Sequence, residues 1–202
     1  MKFNKMGSVL LLASSVVSLA ACGAKEAAKD IQASLENPDL IHTWENQHCS
    51  SSKIAGASFR VQFKFLGNDV QKTEQFYSSA DCAELAGEIT YSGTFEKKGE
   101  VQKDVNELNL KFDRVNVVAF NDIGKKILNT FGLCGKSDWE VNRKADLTTQ
   151  SRDATCVLSA LPYEVYDVYQ VENDTLFFGN YDNTTAEKRP VSVDRTSAFR
   201  KI

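Results

Sequence analysis

The chain has 202 residues, 42% of them hydrophobic and 25% charged, with 24 basic and 27 acidic side chains and a formal net charge of -3. That balance is mildly acidic and contains no Lys/Arg-rich run, which argues against nucleic acid as a partner. With only two histidines, His42 and His48, and no CxxC spacing, the sequence offers no metal-ligand pattern and implies no cofactor.

The first element is a leader. Lys2 and Lys5 give a short positive start, and Gly7 to Leu19 is a run of apolar or small residues. A membrane-spanning helix needs roughly 20 such residues, so residues 1–21 read instead as a cleavable export signal. The tetrapeptide that closes it, Leu19-Ala20-Ala21-Cys22, resembles the lipobox of bacterial lipoproteins. The resemblance implies that the Cys22 thiol receives diacylglycerol, that the leader is cut before Cys22, and that the new amine is acylated. One acyl chain holds only marginally, at about 0.8 kcal/mol per buried methylene, whereas two or three make attachment stable. Lipoproteins kept in the inner membrane carry Asp after the cysteine. Gly23 therefore implies the outer membrane, on its periplasmic or surface-exposed face. Loss of Lys2 and Lys5 with the leader leaves 22 basic and 27 acidic side chains. The remaining chain, about 180 residues, has the size of one domain.

Residues 22–38 are Ala-rich and charged without a deep apolar face, and read as a lipidated N-terminus and tether ending at Asn37-Pro38. Residues 39–202 read as a single domain with a dominant period of two. Phe59, Val61, Phe63 and Phe65 alternate with Arg60, Gln62 and Lys64, a half-buried strand ending at Gly67-Asn68. Residues 70–77 return as a more polar strand. Ile89, Tyr91, Gly93 and Phe95 form a third alternating set. Leu108, Leu110 and Phe112 open a long strand whose apolar parity then shifts to Val115, Val117 and Ala119, predicting a β-bulge near Asp113-Arg114.

One segment, 122–131, has helical spacing. Ile123, Ile127, Leu128 and Phe131 share a face, Asn121 or Asp122 can cap, and Gly132 can stop it. Strand patterns resume at Trp139–Val141 and Cys156–Leu158. A hairpin spans Val165 to Phe178 with its turn at Asn173-Asp174, and Val191 to Phe199 reads as the last strand. Eight to ten antiparallel strands with one short helix predict a mainly β fold, a barrel or a sandwich, and closure into a barrel is the simplest way to hide both edges.

The cysteines beyond Cys22 are Cys49, Cys82, Cys134 and Cys156. An even number in an exported chain implies two disulfides, and three pairings are open. Cys49–Cys82 and Cys134–Cys156 are favoured, because each closes a loop of moderate length around neighbouring strands.

Trp44, Cys49, the strand FRVQFKF, the segment FYSSADC ending at Cys82 and the strand ITYSGTF form an ordered series. The series resembles the conserved core of the APCDD1-type domain and of bacterial lipoproteins with a lipocalin-like antiparallel barrel, over about residues 42–118. His42-Thr43-Trp44 stands where lipocalins have Gly-x-Trp, and their Thr-Asp-Tyr motif is absent. The resemblance implies that Trp44 packs at the barrel base under an arginine from the last strand, Arg195 or Arg200.

No catalytic constellation emerges: G-x-S-x-G, H-E-x-x-H, Walker and GxGxxG patterns are missing. Asp167, Asp174, Asp182 and Glu187 read as exposed carboxylates at alternating or turn positions. The functional hint is aromatic. Phe59, Phe63, Tyr91, Phe95 and Phe112 fall on inward positions of adjacent strands, where they either fill a barrel or line a pocket for one small ligand. The expectation is a membrane-anchored, non-enzymatic barrel that binds a small apolar ligand or lipid. The alternative is a protein-interaction module (an adhesin, inhibitor or envelope assembly factor) with a filled core and exposed loops such as 67–69, 97–104 or 179–188 facing an envelope protein partner.

Overall fold

The computed structural model describes residues 38–51, 57–150 and 156–202; Cys22, the leader and nearly all of the tether lie outside them. The described strands are β1 (Thr43–Asn46), β2 (Ser50–Ser51), β3 (Ser58–Leu66), β4 (Asp69–Tyr77), β5 (Leu85–Gln102), β6 (Val105–Ala119), β7 (Ala145–Asp146), β8 (Tyr163–Glu172), β9 (Thr175–Phe178) and β10 (Ala198–Lys201). Eight of them close a ring in the order β1-β10-β9-β8-β6-β5-β4-β3, which returns to β1 through the β1–β3 pairing. Every ladder in the ring is antiparallel. Closure leaves no free edge in the ring, and the product is a barrel, the simpler of the two forms the strand pattern allows and the lipocalin-like one the resemblance implies. Two short strands are added outside the ring, β2 on β3 and β7 on β6.

The parity shift in β6 is a bulge. Ser92 lies opposite Arg114 and Gly93 opposite Phe112, so Asp113 has no partner across the ladder. The buried set accordingly changes from Leu108, Leu110 and Phe112 to Val115, Val117 and Ala119. Gly93 is required there, since a Cβ would lie 1.8 Å from the Lys111 carbonyl oxygen. Asn173 and Asp174 both adopt positive φ, 51° and 56°, as a two-residue hairpin turn demands.

Helix α1 (Asp122–Phe131) has the expected bounds. Asn121 caps it, its side chain accepting from the Gly124 N–H at 2.8 Å, and Gly132 ends it at φ 62°. Its buried face differs from the expectation: Gly124 and Leu128 are buried, whereas Ile123 is 48% exposed. The helix approaches β5 so closely that a Cβ on Gly124 would meet the Ala86 carbonyl oxygen at 2.0 Å. Backbone proximity, invisible to a hydrophobic pattern, sets its rotation.

Three predicted strands are corrected. The last one is Ala198–Lys201, and residues 191–197 are turns and bends that carry the chain back to the barrel. Trp139–Val141 forms no strand; Val141 makes a single bridge to Ala119. Cys156–Leu158 is irregular. Both disulfides join the favoured pairs, Cys49–Cys82 and Cys134–Cys156, across separations of 33 and 22 residues. Loop closure of that size stabilises by about 3–4 kcal/mol each.

Candidate functional site

The two ends of the barrel differ. At the end where the described chain begins, the interior is solid. The Trp44 indole N–H donates to the Leu40 carbonyl at 2.9 Å, and both residues are buried. Phe63 meets Phe178 at a centroid distance of 4.9 Å and Phe199 at 5.7 Å, while Phe65 meets Phe95 edge-on at 5.0 Å. Each such pair adds about 0.5–1.5 kcal/mol beyond its buried area.

At the opposite end lies a cavity of about 340 Å³. Phe59, Val61, Lys72, Glu74, Phe76, Ile89 and Tyr91 reach it from β3, β4 and β5, and Tyr163 from the start of β8. Tyr181 and Asp182, just beyond β9, close another side, and Val157, Leu158 and Ser159 complete the rim. Both disulfides brace this end, and Cys156 leads directly into the Val157–Ser159 rim.

Lys72 is the defining residue. Its side chain is 5% exposed, and its ammonium lies 2.7 Å from Asp182 Oδ1 and 3.2 Å from Glu74 Oε1. It also sits over the Tyr181 ring, 5.4 Å from the centroid. Burial alone would lower its pKa; the Glu74 and Asp182 carboxylates outweigh that and hold it above the ordinary lysine value. Lys72 is therefore charged at physiological pH. The partners are wetter, with Glu74 30% and Asp182 66% exposed. Tyr91 packs edge-on to Tyr163 at 5.6 Å, and burial pushes both phenols up, so they stay neutral donors and acceptors.

Of the five residues predicted to line a barrel interior, Phe59 and Tyr91 line the cavity. Phe63, Phe95 and Phe112 are buried in the core, with Phe112 packed beneath Tyr163 at 5.1 Å. Trp44 is at the barrel base, but neither expected arginine covers it. Arg195 instead stacks over Phe177 and reaches Glu172 and Gln170 on the exposed surface. Arg200 is exposed opposite Glu45, one residue along from Trp44 and so on the other face of the strand. His42 sets its ring edge against Trp44, at the end away from the cavity. Asp167, expected to be exposed, is fully buried, and its Oδ1 accepts from the Asn180 and Val168 N–H groups. Burial raises its carboxyl to about 6, against the pull of those hydrogen bonds.

Sequence reading missed Lys72, Glu74, Tyr163, Tyr181 and Asp182. One signal was available. Val70, Lys72, Glu74 and Phe76 share a parity, and the ladder sets them opposite Phe65, Phe63, Val61 and Phe59. Two charges at inward positions of a strand mark a site rather than a solvated face.

No helix among the described residues is long and apolar enough to cross a membrane. No protein-family model matches the chain, and no curated protein matches it in sequence.

Proposed function

We propose that this is a lipid-anchored protein of the bacterial outer membrane, whose barrel binds a small ligand and performs no chemistry on it. The observation that carries the reading is the hollow end of the barrel: a cavity of about 340 Å³ whose aromatic and aliphatic walls surround a buried, charged Lys72. Small-molecule sites pair apolar walls with converging polar groups, and here Lys72, Glu74, Asp182 and three tyrosines stand among six apolar side chains. The volume is near the lower end of such sites, roughly 300–1,000 Å³. It favours a compact amphipathic molecule over a long-chain lipid, and Lys72 narrows the apolar ligand expected from the sequence in the same direction. Neither His42 nor His48 lines the cavity, so its walls offer no histidine base.

The lipobox-like Leu19-Ala20-Ala21-Cys22 supports the anchor, Gly23 supports the outer membrane, and the APCDD1-type series supports an envelope barrel. The described chain begins at the filled end, where Leu40 is buried beside Trp44, and the cavity lies at the opposite end of the barrel. Two variants of the full-length chain test the reading. Cys22→Ala should lose palmitate labelling and leave the membrane fraction; unchanged labelling would refute the anchor. Ile89→Trp should fill the cavity, so that a small molecule released on denaturing the wild type, identified by mass spectrometry, is absent from the variant. A wild-type protein that repeatedly releases nothing would refute the ligand.

A further inference from the structure

Granted that the cavity is a ligand site, we infer that its ligand carries a positive charge: an organic ammonium on a short apolar body. Among the described residues lining the cavity, the charged groups are Lys72, Glu74 and Asp182. Two carboxylates against one ammonium leave one negative charge unbalanced. Each carboxylate commits one oxygen to Lys72, Oε1 of Glu74 and Oδ1 of Asp182. The second oxygen of each is left for a ligand, and Asp182, 66% exposed, stands where an incoming cation first meets the site.

The aromatic walls add to this preference. The Tyr91, Tyr163 and Tyr181 rings surround the carboxylates, and phenol faces attract ammonium groups. Lys72 already uses the Tyr181 face in this way. The hydroxyls of Tyr163 and Tyr181 make no hydrogen bond with other described residues, which leaves them as acceptors for ligand N–H groups. Deeper in, Val61, Phe76 and Ile89 accept an apolar body of limited length.

An anionic ligand meets the opposite situation. Among the described lining residues Lys72 is the one cation, and two carboxylates already hold it. A ligand carboxylate would have to displace one of them and would add to a negative site. A neutral ligand leaves the imbalance in place. The charge count therefore selects an amine.

The test titrates the full-length protein, by ligand-observed NMR at neutral pH, with two matched sets: octylamine, octanol and octanoate, and benzylamine, benzyl alcohol and benzoate. The amine should bind most tightly within at least one set. Asp182→Asn should weaken amine binding about tenfold, and Lys72→Met, which leaves two carboxylates unopposed, should tighten it by a similar factor. A set led by its carboxylate, with Lys72→Met abolishing binding, would overturn the inference while leaving the ligand site standing. Equal binding of amine and alcohol, unmoved by either variant, would also overturn it. If no compound binds the wild type, both the inference and the ligand reading fall.

Discussion

The same strands build a solid half and a hollow half of one barrel. On β3, Phe63 and Phe65 interlock with rings from other walls, Phe178 and Phe199 for the first and Phe95 for the second. Two to four residues earlier on that strand, Phe59 and Val61 face open space. On β4, Val70 belongs to the filled end, and Lys72 and Glu74 open the hollow one. Strand number and closure are common to both halves, so barrel geometry does not decide whether the lumen is full. Side-chain inventory does. Rings that meet across the axis exclude a ligand, whereas a charged side chain that must reach its partners keeps the space around it open.

The sharpest way to break this contrast is to truncate one phenylalanine in each half. Phe63→Ala should cost about 3–5 kcal/mol, the usual range for a buried ring whose surroundings relax only in part. Phe59→Ala removes the same atoms from a half-buried position that already borders a cavity, and should cost about 1–2 kcal/mol by the same reasoning. Urea denaturation of both variants reads the difference. Equal losses would mean that the hollow half is packed as tightly as the filled one.

Much of the filled half was legible in the sequence, and little of the site. Inward parity identifies Phe63, Phe65, Phe95 and Phe112, its shift places a bulge near Asp113-Arg114, and local capping chemistry offers Asn121 or Asp122, because each rests on local spacing or a single residue's geometry. Cysteine count gives two disulfides, and loop length favours, among three possible pairings, the two that form. The cavity depends on separations no pattern reports: Lys72 and Asp182 meet across the barrel 110 residues apart. Tyr181 belongs to no strand, yet it packs against Phe63 at 5.9 Å. Arg195 fails as a partner for Trp44 because residues 191–197 are not strand and leave its side chain on the surface. The inward charges on β4 were the one readable clue, and an alternation that is merely described as polar conceals them.

Asp167 probes the join between the halves. Its Oδ1 holds the Asn180 N–H at 2.7 Å, one residue before Tyr181 and Asp182 turn into the cavity, and its Oδ2 has no hydrogen-bond partner among the described residues. Burial raises its pKa to about 6, whereas the unfolded chain titrates near 3.9. The native state therefore holds this proton more tightly than the unfolded state does. The group's contribution to stability is greatest below about pH 4 and declines as pH rises through about 6, by up to roughly 3 kcal/mol at 1.36 kcal/mol per unit. Other carboxylates run the opposite way: Asp81, Asp138, Asp146 and Asp194 are all held below the usual value by hydrogen bonds. The clean measurement is thus the difference between wild type and Asp167→Asn. The variant should gain on the wild type between pH 4 and pH 7, and parallel curves would show that the carboxyl is not perturbed.

The smallest expected effect concerns the residue that defines the hollow half. Removing one member of a fully buried ion pair typically costs about 3–5 kcal/mol, because the other charge is stranded. Here the asymmetry runs in the protein's favour. Lys72 is the buried member, and both carboxylates it would leave behind reach water. Lys72→Met keeps most of the aliphatic stem, removes the ion whose desolvation is largest, and frees Glu74 and Asp182 to hydrate. Its unfolding free energy should stay within about 1 kcal/mol of the wild type, the scale of exposed pairs. A loss as large as that of Phe63→Ala would mean that the cluster, not the wall rings, holds the hollow half together. A small change would mean that the ion cluster is dispensable for the fold, which is the behaviour expected of residues kept for binding.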